Sequence, residues 1–163
     1  MTPAATLSPA AIAADSNVSR TYALLGGEAA IRAPIRNAIE AHDVLARGLP
    51  AASLLHLVDR VGFLEHGDAL MKAVGVSLRT VQRRRADPTP TRLSTEQSNR
   101  TWRFAAILAE AIAVLGTQAA AEDWMNRPAI GLDNRRPVDL LATAAGAEAV
   151  AEYLTRLDYG VYA

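Results

Sequence analysis

From residue 34 onward, apolar side chains recur every three or four positions, the spacing that gathers them on one face of a helix. Ile35, Ile39, His42 and Val44 or Leu45 make the first such stripe, closed by Gly48 and Pro50; Leu54, Leu55, Val58 and Val61 make a second, between Ala51 and Leu64. A short segment from Asp68 to Val74 stops at Gly75, and Ser77 stands where an N-cap belongs before LRTVQRRR. That order predicts helix, turn, helix. The stretch ADPTPTRL follows, and Pro88 and Pro90 restrict the residues before them, so it reads as a linker and a domain boundary. Beyond it Ser94 and Gln97 form a capping box for a long helix to Leu115, which Gly116 ends. Thr117 opens a further helix through Trp124, closed by Arg127 and Pro128. A loop with Gly131, Asp133 and Asn134 leads to Pro137 at a first-turn position, a short helix through Leu141, then Gly146 and a last helix to Asp158.

Residues 1–28 mix Thr, Ser, Pro, Ala and Gly without lasting periodicity and are expected to form a flexible arm. The expected layout is therefore an arm at 1–28, a helix-turn-helix domain at 29–87, a linker at 88–93 and a small helical domain at 94–163. Composition strengthens the all-α reading: half the residues are hydrophobic but only 5% are aromatic, and alanine, which loses no side-chain entropy in a helix, abounds.

Charge sharpens one segment. Lys+Arg and Asp+Glu balance at 17 each, so the molecule as a whole offers no field for nucleic acid and any such binding must come from a local patch. Between Val76 and Arg92 stand Arg79, Arg83, Arg84, Arg85 and Arg92 against Asp87 alone. On a helical wheel Leu78 and Val81 face inward, flanked by Gln82 and Arg85, while Arg79, Thr80, Arg83 and Arg84 face out. Ser77, Arg79, Thr80, Arg83 and Arg84 are the expected DNA contacts, because Arg can bond guanine edges or clamp phosphate from such a position. The competing reading is a solvated last turn that complements the helix dipole.

In the last helix Val150, Tyr153, Leu154 and Leu157 form a core stripe. Tyr159, Gly160, Val161, Tyr162 and Ala163 then carry two aromatics, an aliphatic and no charge, a pattern that suits docking against this protein or a partner. On the long helix Phe104, Leu108, Ala111, Ile112 and Leu115 are core, whereas Ile107 and Val114 lie off that stripe and are either an oligomer surface or a contact with another helix. Trp102 and Trp124 read as packing anchors.

Catalytic chemistry finds no foothold. His42, His56 and His66 lie on separate elements without ligand spacing, Glu122 and Asp123 are adjacent and diverge on a helix, and Gly26-Gly27 lacks a phosphate loop's context. No enzyme activity, cofactor or metal is expected. The absence of cysteine, of a charged signal-peptide start and of a long apolar run suits a cytoplasmic protein.

The segments RLSTEQSNR, AEDWMNRPAIGL, RRPVDLLATAAG and VAEYLTRLDYGVYA, preceded by GDALMKAVGVSLRTVQRRR, resemble the Xre/MbcA/ParS antitoxins of RES–Xre toxin–antitoxin systems. The matching positions are Trp124, Pro137, Asp139, Leu140, Leu141, Gly146, Leu154, Tyr159 and Gly160. The resemblance implies an Xre-like helix-turn-helix domain before a toxin-binding domain, operator DNA and a RES-domain toxin that consumes NAD as partners, and repression of the chain's own operon. It places the blocking of the toxin on Arg156 and on Tyr159, Gly160, Val161, Tyr162 and Ala163. A homodimer or a toxin–antitoxin hetero-oligomer would supply the DNA affinity that a neutral monomer lacks. The alternative is a stand-alone regulator that dimerises through its C-terminal half.

Overall fold

The computed structural model describes residues 9–87 and 89–160. Among them are ten α-helices, two 3-10 segments and no strand: α1 (Pro9–Leu24), α2 (Gly27–Ile31), α3 (Ala38–Arg47), α4 (Ala51–Arg60), a 3-10 turn (Gly62–Glu65), α5 (Ala69–Val74), α6 (Leu78–Ala86), α7 (Thr95–Leu115), α8 (Gln118–Met125), a second 3-10 turn (Ile130–Leu132), α9 (Pro137–Leu140) and α10 (Ala144–Asp158). The protein is all-α, and α7 is its axis. No single described helix is long and apolar enough to cross a membrane.

α7 begins where Ser94 Oγ accepts the Gln97 N–H and ends at Gly116. It buries Phe104, Ala105, Leu108 and Ala111 completely, with the Phe104 ring tilted against Phe63. Two polar residues lie inside as well, and each is satisfied: Thr101 donates to the Gln97 carbonyl at 2.7 Å, and Ser98 Oγ accepts the Leu49 N–H at 2.8 Å. α1, α3 and α5 pack on α7 from the first half of the chain, α8 and α10 from the second. One continuous core therefore runs from Leu25 to Leu154.

The residues expected as a linker are stitched down. The Ala51 N–H donates to the Thr91 carbonyl and the Leu93 N–H to the Leu49 carbonyl, both at 2.8 Å, while Arg92 reaches the Gly48 carbonyl at 2.7 Å. Leu93 is buried. Pro88 lies outside the described residues.

The expected flexible arm at 1–28 is corrected for its described part: Pro9–Leu24 is a helix and Gly27–Ile31 another, while residues 1–8 lie outside the described residues. α1 docks on α7, where the Asn17 amide reaches the Ala106 carbonyl at 3.4 Å, and Leu25 beyond it is fully buried. Its buried face carries Thr21, whose hydroxyl donates to the Asn17 carbonyl at 2.7 Å. Asn17, bonded to α7, and Thr21, bonded back to its own helix, interrupt the apolar period that marks the other helices. Ile107 is also corrected as an oligomer contact. It is 5% exposed and belongs to the core beside α10, and Val114 is half-buried.

Charges join the two halves where α5 meets α9. Lys72 pairs with Asp68 and with Asp139, each at 3.0 Å, and Arg136 with Asp139 at 2.7 Å and Asp68 at 3.2 Å. Burial alone would push the Asp139 carboxyl up, but the Arg136 and Lys72 hydrogen bonds outweigh it and hold it below the usual range. Lys72 and Arg136 likewise hold Asp68 down. A carboxylate depressed in the folded state stabilises it above the unfolded pKa of about 4, and that contribution fades as pH falls through the lower folded value. Asp139→Asn is therefore expected to cost about 1 kcal/mol at neutral pH, the modest value of pairs left partly in water, and to flatten the acid limb of stability below about pH 4. Urea titrations across pH measure both; an unchanged acid limb would remove this cluster's role.

Candidate functional site

The helix-turn-helix is α5, Gly75-Val76-Ser77 and α6. α5 ends at Gly75, whose N–H donates to the Met71 carbonyl at 2.9 Å, and Arg100 from α7 reaches over that end to the Lys72 carbonyl at 2.8 Å. The guanidinium sits where a Gly75 side chain would go, so the glycine admits a cation to the negative end of the helix. Ser77 Oγ then accepts the Thr80 N–H at 3.2 Å and lies 3.0 Å from the Thr80 hydroxyl, which fixes the first turn of α6. Val76 and Val81 are buried and pin the motif to the core.

The arginines of α6 divide into three groups. Arg85 turns toward α4 and the first 3-10 turn, bonding Asp59 and, at 3.0 Å, Glu65. Arg84 is half-buried against the 89–93 segment, where its nearest polar partner is Thr91 Oγ1 at 3.4 Å. Arg79 and Arg83, four residues apart and so on one face, are exposed and have no ion pair among the described residues. Of the five expected contacts, two thus form an open cationic edge, Ser77 and Thr80 build the N-cap beside it, and Arg84 lies to one side.

The far end of the molecule is held by aromatic packing. Trp124 of α8 stacks on Tyr153 of α10 with ring centroids 6.2 Å apart and 16° between planes, and the Arg156 guanidinium lies 5.7 Å from the Tyr153 ring centre. Thr143 Oγ1 accepts the Gly146 N–H at 3.0 Å and starts α10. Tyr159, past its end, is 78% exposed, and its N–H and that of Gly160 donate to the Thr155 and Leu157 carbonyls, both at 3.1 Å. Arg156 and Tyr159 therefore share one end of the last helix with their charge and ring in water. Val161, Tyr162 and Ala163 lie outside the described residues.

Residues 40–106 match the antitoxin Xre-like helix-turn-helix domain, and 110–160 match the antitoxin Xre/MbcA/ParS C-terminal toxin-binding domain. The first span takes in the 88–93 segment and half of α7, in keeping with their shared core; α1 and α2 precede both spans. The chain is 34% identical over 94 residues to Antitoxin Xre of Yersinia enterocolitica, covering 57% of this chain and 62% of that protein. It is 26% identical over 119 residues to Antitoxin Xre of Photorhabdus laumondii, covering 72% and 78%. The chain thus spans less than two thirds of the length of the Yersinia relative. With a helix-turn-helix domain followed directly by a toxin-binding domain, the chain belongs to the Xre/MbcA/ParS antitoxin family.

Proposed function

We propose that the chain is the antitoxin of a toxin–antitoxin pair that represses its own operon and neutralises a RES-domain, NAD-degrading toxin. Arg79 and Arg83, with Ser77, Thr80 and Arg84 beside them, contact operator DNA. Arg156, Tyr159 and Gly160, continued by Val161, Tyr162 and Ala163, cover the toxin's active site. The observation that carries the reading is the open edge of α6: Arg85 is neutralised by two carboxylates, whereas Arg79 and Arg83 stand exposed on one face of the helix with no ion pair among the described residues.

Two such arginines on each α6 give weak binding, since affinity for DNA grows with each phosphate neutralised. Repression therefore needs several copies of α6 on one operator, which a homodimer or a toxin-bridged hetero-oligomer supplies. At the toxin, the chain acts by exclusion. A bound side chain that fills a catalytic cleft stops turnover without chemistry of its own, so the chain is a binder and not an enzyme. Its place of action is the cytoplasm, where operator and NAD are both found.

Co-expression with the protein encoded beside it tests this. The full chain is expected to copurify with that protein and restore growth. A chain cut after Asp158 is expected to keep its melting temperature, because Tyr159 and Gly160 add nothing to the core, while affinity for the toxin falls about tenfold. Equal inhibition by the shortened chain would show that these residues do not cover the cleft.

A further inference from the structure

We propose that the 129–135 loop, with Ile130 at its tip, is a second docking element for the toxin, its side chain entering an apolar pocket on that protein. The inference rests on the toxin-binding reading and adds a contact outside the residues to which the resemblance assigns the blocking of the toxin.

Ile130 is 87% exposed, and a single exposed apolar residue is ordinary on a protein surface. What distinguishes this one is the loop that carries it. The Ala129 N–H donates to the Arg135 carbonyl at 3.1 Å, and the Leu132 and Asn134 N–H groups both donate to the Ala129 carbonyl at 3.0 Å. Asp133 and Asn134 follow each other at φ 53° and 57°, left-handed positions that residues other than glycine seldom take. Ala129 and Leu132 are buried on either side of the tip, and Gly131 lies so close to the Tyr153 ring that a methyl group there would collide with it. The backbone is thus held on both sides of Ile130, and the side chain stands in water. A loop whose backbone is already ordered loses little further freedom when a partner covers it.

Place and charge identify the partner. Ile130 falls within the span that matches the toxin-binding domain. Asp133 and Arg135 of the loop share a depression of about 230 Å³ with Glu152 and Arg156 of α10, so the loop adjoins the residue assigned to blocking the toxin. Two acids beside two bases suit a protein surface; a polyanion such as DNA would meet Asp133 and Glu152.

The test uses the full chain and the neighbouring toxin in a catalytically disabled form, with calorimetric titration, DNA binding and solution mass measured together. Ile130→Asp is expected to raise the toxin Kd about tenfold or more and to leave the melting temperature and DNA affinity unchanged, while Ile130→Val stays within about twofold of the parent. An unchanged Kd for Ile130→Asp overturns the proposal. So does a change in solution mass with toxin affinity intact, which would make the loop a contact between copies of this chain. Failure of the parent chain to bind the toxin removes the toxin-binding reading and this inference together. If the chain cut after Asp158 binds weakly but Ile130→Asp binds normally, only this inference falls.

Discussion

Replacing Arg79 and Arg83 together by Ala is expected to weaken binding to the DNA upstream of the chain's own gene by about a hundredfold or more at about 0.1 M salt. The log–log slope of affinity against salt should fall by about two, close to one unit for each phosphate that an arginine no longer neutralises. Both side chains stand in water without an ion pair among the described residues, so their removal leaves the fold untouched. The contrast with Arg85 makes the measurement specific. Arg85→Ala breaks the pairs with Asp59 and Glu65 and lowers stability slightly, yet should leave the salt slope nearly unchanged. Arg84→Ala, half-buried beside Thr91, should fall between the two. A random duplex of equal length separates base reading from phosphate attraction: an arginine that reads a base narrows the gap between the two duplexes when it is removed, whereas one that holds a phosphate weakens both alike. Equal affinity and slope in parent and double variant would show that α6 does not lie on DNA.

The residues behind this prediction are legible in the sequence because their signals are local. Ser77 caps α6 through the backbone three residues on, Ser94 caps α7 the same way, and Pro137 starts α9, each set by chemistry within one turn. The helical wheel also places Arg85 beside the packed face, where it meets Asp59 and Glu65. Features that depend on distant parts of the chain are not legible in this way. Asp68 and Lys72 stand four residues apart and Arg136 and Asp139 three apart, and only folding joins the two pairs into one cluster. Arg100 gives no sign in the sequence that it will cap α5. α1 is hidden because Asn17 and Thr21 occupy its inner face. Ile130 sits among Gly, Asp and Asn, where no periodicity tells which way a side chain points. The sequence pattern sets Gly146 ahead of the last helix; it stands instead inside the first turn of α10, with the Leu140 carbonyl where its side chain would be.

Glycines of this last kind carry the second large effect. Gly48→Ala is expected to destabilise the protein by about 3 kcal/mol or more, because two penalties coincide there. Its φ is 87°, a left-handed value that strains an alanine, and the added methyl would run into the Leu93 carbonyl oxygen of the stitched segment. A carbonyl fixed by backbone bonding on both sides cannot swing away as the tip of a long side chain can. Two other positions separate the penalties. Gly116 has φ 91° with nothing within 4 Å of an added methyl, so Gly116→Ala reports the backbone strain alone, about 1 kcal/mol. Gly146 has no left-handed strain but meets the Leu140 backbone, so Gly146→Ala reports collision alone, about 2 kcal/mol after the gain of about 0.5–1 kcal/mol that alanine brings to a helix. Chemical denaturation of the three variants should rank them Gly48, Gly146, Gly116 from most to least damaging. If Gly48→Ala were no worse than Gly116→Ala, the 89–93 segment could not be packed against Gly48, and the shared core of the two domains would lose one of its seams.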